Sequence, residues 1–97
     1  MRIQTSELNR LVREAIQHHP PPVKGTKRLK IYFATQVATA PPLFLFHVND
    51  KELVHFSYKR YLENQIREQY PFEGNPIRTS FRESKGEPTW MRKPTQE

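Results

Sequence analysis

Lys24, Lys27, Arg28 and Lys30 lie within seven residues that hold no acid. Ammonium and guanidinium groups at that density suit phosphate, because phosphate contacts dominate nucleic-acid affinity and release condensed counterions. This segment carries four of the six net positive charges. Residues 1–23 contribute three basic and two acidic groups, residues 31–82 six and five, and residues 83–97 three of each. A compact basic segment in a near-neutral chain points to a polyanionic partner. The competing explanation is a solvated loop that keeps a small domain soluble. A second basic set, Lys59, Arg60 and Arg67, falls in a helical stretch. Arg60 and Arg67 are seven residues apart, so two turns bring them to one face. For Arg67 a local pair with Glu63, one turn earlier, competes with phosphate contact.

Catalytic patterns are missing. Gly25, Gly74 and Gly86 fit neither G-x-x-x-x-G-K-[ST] nor G-x-G-x-x-G, so the chain has no phosphate-cradling loop for nucleotide hydrolysis. His18, His19, His47 and His55 lack the spacing that sets two imidazoles on one helix face, and no acid completes a metal site. His47 sits in an apolar strand, where a hydrogen-bonded structural role is the simpler one. Glu63 and Glu68 stand near Lys59, Arg60 and Arg67, where surface ion pairing accounts for them. The chain reads as a binding module without cofactor or metal, and not as an enzyme.

Five elements have to position the cations. Leu8, Leu11, Val12, Ala15 and Ile16 form one helical stripe over 6–17, with Thr5 or Ser6 as cap and Pro20-Pro21-Pro22 as a stiff exit. Residues 28–37 alternate as a strand, with Leu29, Ile31, Phe33, Thr35 and Val37 expected inward. A five-residue connection over 38–42 leads into an apolar strand over 43–48. Asn49 has capping-box spacing to Glu52 and opens a helix from Asp50 to about Tyr70. Leu53, Phe56, Leu62 and Ile66 are its expected inward positions, with a break near His55–Ser57 as the alternative to a single helix. After a turn cluster over 71–76, Ile77 to Arg82 alternates again. The order predicts an α+β domain, a three-stranded sheet covered on one face by two helices, with a right-handed crossover into the last strand. Lys30, Tyr32, Arg78 and Arg82 are expected on the open face.

With 97 residues, nine prolines and no cysteine, this is one small domain with no disulfide, suited to a reducing compartment. The longest apolar run, Leu43-Phe44-Leu45-Phe46, is far short of the roughly 18 residues of a membrane span, and the N-terminus has no secretory h-region. Residues 1–4 read as a leader, 5–83 as the domain, and 84–97 as a disordered polar tail containing Trp90-Met91. A monomer is expected.

The blocks Arg28-Leu29-Lys30-Ile31-Tyr32-Phe33-Ala34-Thr35-Gln36, Phe46-His47-Val48-Asn49, Ser57-Tyr58-Lys59-Arg60-Tyr61-Leu62-Glu63-Asn64-Gln65 and Phe72-Glu73-Gly74-Asn75-Pro76 closely resemble the C-terminal KH-like domain of the bacterial Der (EngA) GTPases. The resemblance covers about residues 5–82. It implies a KH-like α-β-β-α-β fold and a place in large (50S) ribosomal subunit assembly. It further implies contact with large-subunit ribosomal RNA in the bacterial cytoplasm, and packing against GTPase domains that hold GTP and magnesium in the parent protein. The G-x-x-G loop by which ordinary KH domains clamp nucleic acid is missing, so that binding mode is not carried over. Lys24, Lys27, Arg28, Lys30, Lys59, Arg60, Arg67 and Arg78 are the candidate RNA contacts. An alternative makes the chain a docking domain that relays nucleotide state, with Tyr32, Tyr58 and Tyr61 as interface anchors, since aromatic residues enrich interface cores. For Tyr61, completing the core is the competing role.

Overall fold

Leu8, Leu11, Val12 and Ala15 are all buried, and they give α1 (Thr5–His18) the single apolar stripe expected of it. The computed structural model describes residues 2–72 and 76–85; half of the turn over 71–76 and nearly all of the expected tail, Trp90-Met91 included, lie outside them. The N-cap is Gln4, not Thr5 or Ser6, and no side chain caps the first turn. Ile3, inside the expected leader, is only 4% exposed and packs with the core. At the other end the His19 N–H donates to the Ala15 carbonyl at 3.0 Å, and the prolines stop the helix there.

A two-residue hairpin follows, β1 (Val23–Lys24) against β2 (Lys27–Arg28). The main sheet comprises β3 (Ile31–Thr39), β4 (Pro42–Val48) and β5 (Arg78–Glu83), in that spatial order. β3 and β4 are antiparallel, joined by Ala40 and a cis-bonded Pro41, so the connection is shorter than expected. β4 and β5 are parallel, which the crossover through α2 (Phe56–Gln69) makes possible. Phe44, Phe46 and Val48 point into the core, where they meet Leu8 of α1 with Leu62 and Ile66 of α2, all fully buried. The fold is thus the expected α+β architecture, two helices with a three-stranded mixed sheet, in keeping with a KH-like fold.

The face assignment along β3 is corrected. Leu29 and Ile31 turn inward, but a register shift between Ile31 and Phe33 moves the phase by one residue. A one-residue bulge sends every later side chain to the other face. Ala34 and Gln36 therefore face the helices, Phe33 lies opposite His47 on the far face, and a second shift leaves Val37 48% exposed. Asn9 reads the new phase. Its side chain accepts from the Ala34 N–H at 2.7 Å and donates to the Ala34 carbonyl at 2.8 Å, as a neighbouring strand would. Gln36 likewise accepts from the Ile3 N–H at 2.7 Å, while Arg2 donates to the Gln36 carbonyl at 2.8 Å.

Of the two readings of residues 50–70, the break near His55–Ser57 is the one the structure has, in place of a single helix from Asp50. A 3-10 turn over Lys51–Leu53 is capped by Asp50, whose carboxylate accepts from the Glu52 N–H at 2.9 Å. The chain then extends through Val54 and restarts at Phe56 with His55 as cap. His55 Nδ1 accepts from the Ser57 N–H at 3.1 Å. Asn49 opens no capping box; it serves the hairpin instead.

Candidate nucleic-acid interface

The hairpin turns at Gly25, whose φ of +65° is a left-handed backbone that side chains resist. Its register sets Lys24 directly opposite Lys27. Like charges so placed repel, so the flanking structure has to hold them. On the C-terminal side Leu29 is buried in the core. Around it, Asn49 Oδ1 accepts from the Lys30 N–H at 2.8 Å and Nδ2 donates to the Arg28 carbonyl at 3.1 Å. The Asn49 N–H adds a bond to the Lys30 carbonyl at 3.1 Å. The backbone beneath the cations is pinned while Lys24, Lys27, Arg28 and Lys30 are all exposed.

A groove of about 440 Å³ runs between this hairpin and the start of α2. Val23 and Lys24 form one wall, Leu53, Val54 and Phe56 the other, with Glu52 and His55 at its edge. Two of its side chains stand out as exposed apolar groups, Val23 at 52% and Phe56 at 66%. Phe56, expected inward, is thus turned to solvent. The buried positions of α2 are Tyr58, Leu62 and Ile66, one turn apart. Phe56 precedes Tyr58 by two residues, about 200° around the helix, which places it on the opposite side. The Arg60 guanidinium lies 4.9 Å from the Phe56 ring centre, in cation–π range. Lys59, Arg60 and Glu63 continue the surface beyond Phe56 as a shallow cleft. Phe56 joins the two hollows: Lys24 lines the groove, while Lys59 and Arg60 line the adjoining cleft with Glu63.

Arg67 and Arg78 are exposed but line no part of that groove. The Arg67–Glu63 pair does not form; Glu63 accepts from the Thr79 hydroxyl at 2.6 Å. Among the described residues the ion pair is Arg10–Glu14 at 3.4 Å, on the outer surface of α1. Arg78 and Arg82 share the open face of the sheet with Leu43 and His47, their register partners on β4. The His47 ring stacks on Phe33 at 4.0 Å. Burial, and after it the charge of Arg82, lowers the His47 pKa from its ordinary 6.5.

Two of the three candidate tyrosines, Tyr58 and Tyr61, bond to backbone carbonyls of α1 and its C-cap. Tyr58 is 3% exposed and donates to the His19 carbonyl at 3.0 Å. Tyr61 donates to the Ala15 carbonyl at 2.6 Å. Both tie α2 to the C-terminal end of α1; Tyr58 is buried there, while Tyr61 is partly buried against the core. Burial, with Tyr61 beside it, pushes the Tyr58 pKa up to about 12. Tyr32 is half-buried beside the bulge in β3.

Sequence reasoning missed Phe56, Val23 and Asn49. A signal existed for the first: Val54-His55-Phe56-Ser57 places a capping side chain just before an aromatic that breaks the stripe through Tyr58, Leu62 and Ile66. Strands of two residues, by contrast, leave no periodicity to read. Among the described residues there is no cluster of His, Asp and Glu fit for a metal ion, and no helix long and apolar enough to cross a membrane.

The chain is 56% identical over 92 residues to the GTPase Der of Thermomicrobium roseum, a span covering 94% of this chain and 20% of that relative. It is 62% identical over 81 residues to the GTPase Der of Symbiobacterium thermophilum, covering 84% of this chain and 17% of that relative. The chain thus spans about one fifth of the length of such relatives. Residues 2–82 match the family model described as the KH-domain-like C-terminal region of EngA bacterial GTPase enzymes. That match takes in the helices, the hairpin and nearly all of the sheet, and the chain belongs to this KH-domain-like family of EngA C-terminal domains.

Proposed function

We propose that this chain is a ribosomal-RNA-binding module that acts in assembly of the large ribosomal subunit in the bacterial cytoplasm. GTP hydrolysis, in this reading, belongs to the part of a Der-like protein that the chain does not span. The observation that carries the proposal is the hairpin, where Lys24 and Lys27 face each other with Arg28 and Lys30 beside them. No acid pairs with any of these four among the described residues. A backbone that fixes opposed cations stores a repulsion that phosphates relieve, and counterion release adds to the gain. Lys59 and Arg60 add two further cations in the cleft that adjoins the groove at Phe56.

The test is titration into large-subunit ribosomal RNA fragments at two salt concentrations, with unrelated RNA of equal length alongside. Saturable binding that favours the ribosomal fragments and weakens steeply with salt is expected. Replacing Lys24, Lys27, Arg28 and Lys30 together by Ala should cut affinity sharply. It should also flatten the logarithmic salt slope by roughly 0.7–0.9 for each phosphate no longer neutralised. Unchanged affinity in that variant would sink the hairpin as the RNA-binding element. Equal binding of both RNAs would favour docking on GTPase domains, for which the open sheet face around Leu43, Leu45 and Arg78 is the surface left uncovered by helices.

A further inference from the structure

We infer that the groove between the hairpin and α2 holds an unpaired base of the RNA, stacked on Phe56, so that the module prefers single-stranded or flipped-out nucleotides to a continuous duplex. This deepens the reading of the chain as an RNA-binding module and rests on it.

Phe56 is the largest exposed apolar side chain among the described residues, and the fold does not use it. It stands outside the core cluster, at 66% exposure, on the first turn of a helix whose inward face is filled by Tyr58, Leu62 and Ile66. With Val23, 52% exposed on the facing wall, Phe56 forms an apolar patch bordered by charged groups, the kind of surface that marks a binding site. What covers this one is indicated by charge. Arg60 already lies over the ring at 4.9 Å, Lys59 is its neighbour, and Lys24 forms the facing wall. An apolar ring with Lys24 in the groove on one side and Lys59 and Arg60 in the cleft on the other fits a ligand with an aromatic face and an anionic backbone, which is a nucleotide. A protein surface would leave these cations to be matched by acids, and a lipid tail would have to pass between them.

The dimensions agree. The groove of about 440 Å³ admits one or two bases but not a duplex, whose bases are already stacked and whose grooves hide their faces. Val23 and Val54 supply the apolar edges that a base plane slides between. Glu63 lines the adjoining cleft, where the Thr79 hydroxyl donates to it, and Glu52 is the acid of the groove itself. It repels phosphate and accepts hydrogen bonds, so the backbone runs along the Lys24 and Lys59 sides while a base edge faces Glu52. The missing G-x-x-G clamp is thereby replaced by stacking and side-chain cations.

The experiment is fluorescence titration of the chain with a single-stranded RNA oligonucleotide carrying 2-aminopurine, beside the same strand annealed to its complement. Binding of the single strand with quenching of 2-aminopurine, and weaker binding of the duplex, is expected. Phe56→Ala should abolish the quenching and lower single-strand affinity about 5- to 150-fold, the span of one base–aromatic stack. Its salt slope should stay that of the native chain, because every cation is kept. Phe56→Trp should restore both signals. Quenching and affinity unchanged in Phe56→Ala, or equal binding of duplex and single strand, would overturn this inference. If the four-site Ala variant then still bound more weakly than the native chain, RNA binding would stand without the stacking shelf. Absence of any RNA binding by the native chain would overturn both.

Discussion

α2 carries aromatics on two sides, and the two sides behave differently. On the inward side Tyr58 and Tyr61 are packed against α1, and each hydroxyl has a carbonyl to donate to. On the outward side Phe56, two residues from Tyr58, has no polar tip to satisfy and no core to enter. A tyrosine at such a seam reports the fold, since its ring fills space and its hydroxyl fixes the angle between helices. A phenylalanine left in water reports something the fold does not explain. The same contrast separates the cations: Arg10 has its partner in Glu14, whereas the hairpin lysines face one another.

The largest expected effect of breaking this comparison is on stability. Tyr58→Ala should cost about 3–5 kcal/mol, as other large-to-small aromatic truncations in cores do. Phe56→Ala should stay within about 0.5 kcal/mol of the native chain in the same urea titration. Similar losses at the two sites would mean that Phe56 is structural after all. A smaller effect separates the two tyrosines. Tyr58→Phe strips the His19 carbonyl of its donor and should cost about 1 kcal/mol. Tyr61→Phe should cost less, because the Ala15 carbonyl keeps the His19 N–H. A thermal melt of each variant orders them.

The smallest effect is on the alkaline limb of stability. Tyr58 has its pKa raised from 10.0 to about 12, so the unfolded chain releases this proton more readily than the folded one. Its contribution is fully present below pH 10 and is lost as pH rises through about 12. Tyr58→Phe should flatten that limb in chemical denaturation between pH 10 and 12, while Phe56→Ala leaves it as it was.

Much of the fold was legible because burial repeats. The stripe of α1 and the apolar run of β4 have long, regular periods, and the crossover followed from the order of elements. Legibility failed where a single residue changed the phase. The bulge before Phe33 exchanged the faces of β3, and nothing in Ile31-Tyr32-Phe33 distinguishes a bulge from a straight strand of aromatic and β-branched residues. The cap at His55 did the same to the start of α2, so Phe56 was assigned to the wrong side. The hairpin cations were visible as composition alone; that Lys24 opposes Lys27 depends on Gly25 and on Asn49, which is 21 residues from Arg28 along the chain.

Asn9 has a consequence for how this sheet can grow. β3 is an edge strand of nine residues, the kind of free margin on which foreign strands add and aggregates propagate. At its middle, the Asn9 amide already occupies the donor and the acceptor of Ala34, and Arg2 holds the Gln36 carbonyl. An incoming strand would have to displace a helix and the N-terminal segment before making its first pair of bonds. The sheet is therefore blocked at the middle of β3, and a strand adding there has first to free Ala34 and the Gln36 carbonyl.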